Sequence, residues 1–164
     1  YQQSICHGDL NMQNILLDEA LNVYVIDFSE TRPRAVICDY ARLEVIFLLE
    51  FTRLESEADL QELSELFEQW FSAAFLDEDI CLPELTDRDN HKAFAMSGLM
   101  RQYALKSVDG NRDIVPYLLA MLEWTLPVVC YNLPLARKKL SLRAASLMVN
   151  KLNALLPSGS LHQA

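Results

Sequence analysis

The sequence predicts a mainly helical α+β domain: one small β-hairpin near its start, carrying a polar cluster, packed on about five helices. Three observations carry that expectation. Ile15 to Leu17 and Val23 to Asp27 are short apolar or β-branched runs separated by the turn-like Asp18-Glu19-Ala20-Leu21-Asn22. From Val36 onward, apolar residues recur at helical spacing. Caps, prolines and one Asp-Gly-Asn turn divide that remainder into separate helices.

The opening stretch, Cys6-His7-Gly8-Asp9-Leu10-Asn11-Met12-Gln13-Asn14, leads into the first strand, and Asp27-Phe28-Ser29 leaves the second. A hairpin brings Asn14 and Asp27 together. An amide oxygen and a carboxylate side by side are hard ligands suited to Mg2+, with substrate phosphates completing the shell. Asp9, just upstream, faces the same point. A lone Asp followed by Asn is a capping or turn device; the hairpin and Asp27 set this one apart.

Read as H-G-D-x-x-x-x-N followed by an apolar strand and Asp-Phe, these residues resemble the catalytic core of the protein-kinase-like fold. The form is that of aminoglycoside phosphotransferases and choline kinases. The resemblance implies a kinase-like C-terminal lobe over residues 1–156 that uses ATP and Mg2+ and acts on a hydroxyl of a small molecule. It makes Asp9 the catalytic base, which accepts or orients that hydroxyl, and Asn14 and Asp27 the ligands of the metal and its nucleotide. His7 belongs to the same catalytic loop and is expected to support it by hydrogen bonding. The run Asp39-Tyr40-Ala41-Arg42-Leu43-Glu44 is closer to a narrower group, the ternary-complex-associated kinase-like domains of bacterial multidomain signalling or conflict proteins. That likeness extends from Cys6 to about Leu54. In such folds an Asp at position 39 braces the catalytic loop from below, and the residue also sits where an N-cap belongs.

The nucleotide side of such a site is missing from this sequence. Its four glycines, Gly8, Gly98, Gly110 and Gly159, compose no phosphate-covering loop, and no strand carries a nucleotide-pairing lysine. The expectation is a C-terminal lobe whose N-terminal partner lobe lies outside the chain, inactive alone. The alternative is a non-catalytic interaction module kept for its surface. A metal-dependent hydrolase using Asp9, Asn14 and Asp27 is a third class.

Of the later elements, a helix opens near Val36 and runs to about Leu54. Ser56 with Asp59 makes a capping-box start for a second through Phe75. Its stripe Leu60, Leu63, Phe67, Trp70, Phe71 and Ala74 reads as core. Asp77 to Asp89 is an acidic loop with Pro83, of the kind that shapes acceptor pockets in small-molecule kinases. A third helix spans about Asn90 to Lys106 and ends at Asp109-Gly110-Asn111. The fourth starts near Arg112, carries Pro116 in its first turn, is apolar almost all round to Val129 and is interrupted by Pro127. The last covers about Leu135 to Leu156, and residues 157–164 form a frayed tail. Arg32-Pro33-Arg34 is read as a basic loop beside the metal site.

The 164 residues carry a net charge of -9, unevenly placed. From Glu44 to Asp89 fourteen acids face only Arg53 and Arg88, a balance of -12, leaving +3 elsewhere. The acidic middle argues against nucleic acid as a partner, and reads as a solvated face or, less simply, an attractor of cationic substrates. The basic run Arg137, Lys138, Lys139 and Arg143 is expected to meet those acidic helices. Scattered Cys6, Cys38, Cys81 and Cys130 argue for reduced, mostly buried thiols and against zinc. No membrane-spanning run or signal segment is visible, so a cytoplasmic protein is the default.

Overall fold

A computed structural model describes residues 2–85 and 87–156; the tail expected over 157–164 lies outside the described residues. Five helices and four short strands follow one another. They are β1 (Gln3–Cys6), β2 (Ile15–Leu17), β3 (Val23–Val25), β4 (Arg32–Ala35), α1 (Cys38–Glu50), α2 (Glu57–Trp70), α3 (Arg88–Ser107), α4 (Val115–Thr125) and α5 (Leu135–Leu155).

The hairpin forms as expected. β2 pairs antiparallel with β3, Ile15 opposite Val25 and Leu17 opposite Val23. Asp18 organises the turn: its carboxylate accepts from the backbone N–H of Ala20 and Asn22, the Asn22 amide and the Tyr24 hydroxyl. A second two-stranded sheet was not expected. β1 pairs antiparallel with β4, Cys6 opposite Arg32 and Gln3 opposite Ala35, so Arg32-Pro33-Arg34 is a strand rather than a basic loop. Pro33 is tolerated because each strand of a two-stranded sheet has a free edge where no N–H is required.

α1 is the axis of the helical body, packed against α3 on one side and α4 on the other, while α5 covers α2 and α4. Ile37, Leu48, Leu63, Phe67, Tyr117, Leu118, Met121, Leu140 and Met148 are all but inaccessible, and burial of this kind stabilises by roughly 1.5–3 kcal/mol per large side chain. The capping box is present: the Ser56 hydroxyl accepts from Asp59 N–H, and Asp59 accepts from Ser56 N–H. α2 stops at Trp70, short of Phe75. α4 gives way to a 3-10 turn over Leu126–Cys130 at Pro127, which has no N–H to continue the helical ladder. α4 is not buried all round, since Leu119 and Glu123 face solvent. The basic start of α5 does meet the acidic helix, through Arg143 with Glu68 and Lys139 with Glu57. No helix among the described residues is long and apolar enough to cross a membrane.

Cys6 and Cys38 are buried, whereas Cys81 and Cys130 are exposed, and all four are free thiols. Burial, and next the Asp39 carboxylate, push the Cys6 thiol from its ordinary 9.0 to about 11. Burial raises Cys38 too. Burial and then Glu44 raise the Tyr117 hydroxyl well above its usual range. Each group stays protonated in the folded state at a pH where the unfolded chain has lost that proton. Stability is therefore expected to fall as pH rises from about 9 through about 11. Denaturation midpoints at about pH 8 and about pH 10 check this, and an unchanged midpoint would contradict it.

Candidate functional site

The cluster is built on the chain between β1 and β2. Gly8 turns the loop in the left-handed region, at φ +82, where an added Cβ would collide with the Glu30 carbonyl. Gly8→Ala is expected to destabilise the protein by about 1–3 kcal/mol, read as a lowered denaturation midpoint. From β1 the backbone N–H groups of His7 and Gly8 point down at Asp39 in the first turn of α1, donating to Oδ2 at 2.7 Å and Oδ1 at 3.0 Å. Asp39 is thus the brace that the sequence suggests. It does not cap α1, whose N-cap is Ile37, because both carboxylate oxygens are taken by the loop.

His7 is buried and fully engaged. Its Nδ1 accepts from Asp9 N–H at 3.3 Å, so Nε2 carries the proton and donates to the Ile26 carbonyl at 2.8 Å. The ring also packs against Phe28, centroids 5.2 Å apart. His7 therefore ties the loop to the end of β3 and has no ring nitrogen left for proton transfer. Asn11 caps a single 3-10 turn, Met12–Asn14, by accepting from Gln13 N–H and Asn14 N–H. That turn delivers Asn14 into β2 with its amide Nδ2 donating to Asp9 O at 2.9 Å and lying 3.4 Å from Asp9 Oδ2. The amide oxygen accepts no hydrogen bond from the described residues.

Asp27 follows directly. Ile26 N–H donates to the Asn14 carbonyl at 3.0 Å, so Asp27 leaves the hairpin beside the point where Asn14 enters it. Its backbone is left-handed, at φ 60, a conformation that Asp tolerates better than most residues. Among the described residues the Asp27 carboxylate accepts only from Ser29 Oγ, at 2.8 Å. His7, Asp9, Asn14 and Asp27 are thus carried by one loop and one hairpin. Asn14 and Asp27 offer hard oxygens in keeping with Mg2+; among the described residues there is no group of three or more His, Cys, Asp or Glu set to hold a metal by themselves.

Arg42 joins these residues, a role that no local sequence pattern assigns. It rises one turn above Asp39 on α1 and ion-pairs with Asp9 Oδ1, its guanidinium 3.9 Å from the centre of the Trp124 ring. Arg34, on β4, lies over the same ring at 5.6 Å and pairs with Glu123. Arg34 is thereby spent on a carboxylate of α4. The spacing of three between Asp39 and Arg42, which puts both on one helix face, was the available signal. Trp124 had none, because its partners come from β4 and α1.

The acidic segment 77–85 borders a cleft of about 760 Å3 against α3, floored by Trp70, Phe94 and Arg101. None of His7, Asp9, Asn14 or Asp27 lines it. A smaller cleft of about 250 Å3 lies on the other side of α1, bordered by Asn11, Gln13, Arg42 and Trp124.

A sequence model of the ternary complex associated domain 9 family matches residues 1–123, three quarters of the chain and the whole of the site up to Glu123. The chain belongs to that family. No curated protein matches it, nor does any solved structure. In this ternary complex associated domain the match takes in both sheets, the braced loop, α1 to α3 and most of α4, and stops one residue before Trp124.

Proposed function

We propose that the loop Cys6–Asn14 with the turn at Asp27 is the acceptor-and-metal half of a kinase-like phosphotransfer site. The observation that carries this reading is the double brace on the loop. Asp39 holds the N–H groups of His7 and Gly8, His7 holds the Ile26 carbonyl, and Asn14 holds Asp9, so the loop is tied both to α1 and to the end of the hairpin from which Asp27 leaves. Catalysis of phosphoryl transfer is mostly positioning and charge neutralisation, and a rigid loop is what that requires. Asp9 would orient the acceptor hydroxyl and accept its proton. Asn14 and Asp27 would hold Mg2+, which supplies charge neutralisation on the transferred phosphoryl group. ATP would need a nucleotide-holding lobe beyond the residues described, because the sequence has no phosphate-covering loop.

The test uses a longer protein that carries this domain together with such a lobe. Asp27→Ala is expected to weaken Mg-ATP binding at least ~10-fold. Asp9→Ala is expected to leave binding in place and lower turnover by about 100- to 10,000-fold. Mg-ATP binding unchanged by Asp27→Ala would sink the metal assignment. Residues 1–164 alone are expected to transfer no phosphoryl group.

A second reading has its own observation. Leu17, Val23 and Phe28 are each 60% or more exposed, and Leu16, Tyr24, Val25 and Ile26 are exposed to a lesser degree, so the hairpin presents an apolar surface of the sort that marks a protein contact. The family description speaks of a ternary complex, and an interaction module fits those words. A partner captured equally by the wild type and by an Asp9→Ala, Asp27→Ala double variant would favour the module.

A further inference from the structure

We propose that the 250 Å3 cleft beside Asp9 is the acceptor site, and that its acceptor is a small hydroxylated molecule bearing an anionic group that pairs with Arg137. This rests on the phosphotransfer reading above and specifies what that site receives.

Position is the first ground. The cleft is lined by Asn11, Gln13, Arg42, Trp124, Tyr131 and Arg137, over a floor of aliphatic side chains from α1. Asn11 Nδ2 donates to Asp9 O at 3.1 Å, and Arg42 holds the Asp9 carboxylate. Asp9 itself does not line the cleft but is bonded to two residues that do, Asn11 and Arg42, so a hydroxyl entering here arrives one contact from it. The acidic cleft under residues 77–85 is lined by no residue bonded to Asp9, whereas this one is lined by Asn11 and Arg42, so the surplus of carboxylates in the middle of the chain is not what the acceptor meets. A polycation is therefore the wrong acceptor.

Charge is the second. Of the two guanidinium groups at the cleft, that of Arg42 is neutralised by Asp9. That of Arg137 is half-buried and donates to Thr52 Oγ1 at 3.0 Å and Thr52 O at 2.9 Å, both uncharged. Among the described residues no carboxylate lies within ion-pair distance of it. Burial lowers its pKa, and the more distant Glu50, which also borders the cleft, opposes that only partly. A half-buried guanidinium with no carboxylate in contact draws an anion that fits beside it.

Shape agrees. Trp124 and Tyr131 give flat apolar walls. The Trp124 Nε1–H is itself inaccessible, with no acceptor among the described residues, so it serves as a reporter in the wall of the cleft. At 250 Å3 the cleft is smaller than the usual drug-sized pocket, which suits a hydroxy acid.

The chain has two tryptophans, so its indole N–H resonances make a direct test. Trp70 Nε1 is hydrogen-bonded to Glu44 on the far side of α1 and serves as the internal reference for an intact fold. The probes are glycerate and 4-hydroxybenzoate, with glycerol, 4-hydroxybenzyl alcohol and spermidine as controls. The acids are expected to shift the Trp124 resonance saturably and at least ~10-fold more tightly than the matching alcohols, leaving Trp70 in place. Arg137→Gln should reduce the acids to the level of the alcohols, and Glu50→Gln should strengthen them. The inference is overturned by equal binding of acid and alcohol, by acid binding indifferent to Arg137→Gln with Trp70 unmoved, by spermidine acting alone, or by no response to any probe. Failure of the underlying reading looks different. Hydroxy-acid binding at Trp124 in a longer protein whose Mg-ATP binding ignores Asp27→Ala keeps the anion site and removes phosphotransfer.

Discussion

Arg101→Met is expected to lower the free energy of unfolding by about 3–5 kcal/mol. Glu44 lies on the core face of α1 and is wholly inaccessible. Its Oε1 accepts from Trp70 Nε1 at 2.8 Å and from Arg101 Nε at 3.0 Å, and its Oε2 accepts from Tyr117 OH at 2.8 Å. Arg101, on α3, is 3% exposed and lies with its guanidinium 4.4 Å from the Trp70 ring centre. The four side chains knit α1, α2, α3 and α4 together through one carboxylate. Removing the arginine leaves a charge in the interior with only neutral donors around it, and that, rather than the lost attraction, sets the cost. A cycle with Glu44→Gln separates the two. The double variant is expected to be more stable than the sum of the singles by about 1 kcal/mol or more. Denaturant titration measures all four proteins, and single effects that add within about 0.5 kcal/mol would show that the pair is not coupled.

Asp39→Ala is expected to cost about 2–3 kcal/mol and to loosen the loop that carries Asp9. Two backbone N–H groups lose their acceptors at once, in a place where neither finds another. The loss is local, so amide hydrogen exchange at His7 and Gly8 should quicken far more than at Leu48 or Met121 in the core. Asp39→Asn keeps one side-chain oxygen and should fall between wild type and the alanine variant. Uniform exchange across the domain would mean that Asp39 serves overall stability and not the loop. On the phosphotransfer reading the same variant lowers turnover while leaving Asp9 itself untouched, which is the signature of a positioning residue.

Much of this domain follows from short-range rules. Short apolar runs on either side of Asp18 make the hairpin, because a side chain that accepts from residues two and four ahead closes that turn locally. Ser56 and Asp59 start α2, Asp87 starts α3 by accepting from Asp89 and Asn90 N–H, and Pro127 ends the α-helical part of α4. Asp39 as a brace was legible through resemblance, and Asn14 beside Asp27 through the hairpin. All of these depend on residues a few positions apart or on one strand pairing.

What only the tertiary structure decided is the choice of distant partners. β1 finds β4 across the 25 residues of intervening chain, 7–31, and neither Gln3–Cys6 nor Arg32–Ala35 has a pattern that marks it as a strand alone. Arg42 could serve any acid near α1, yet it pairs with Asp9 because Trp124 holds its guanidinium from behind. Glu44 shares a helix face with Ala41 and Leu48, which announces its burial, but the three donors that make the burial tolerable come from α2, α3 and α4. Periodicity fixes which face of an element turns inward. Which side chains it meets there is set by how the elements cross, and that depends on every contact in the core at once.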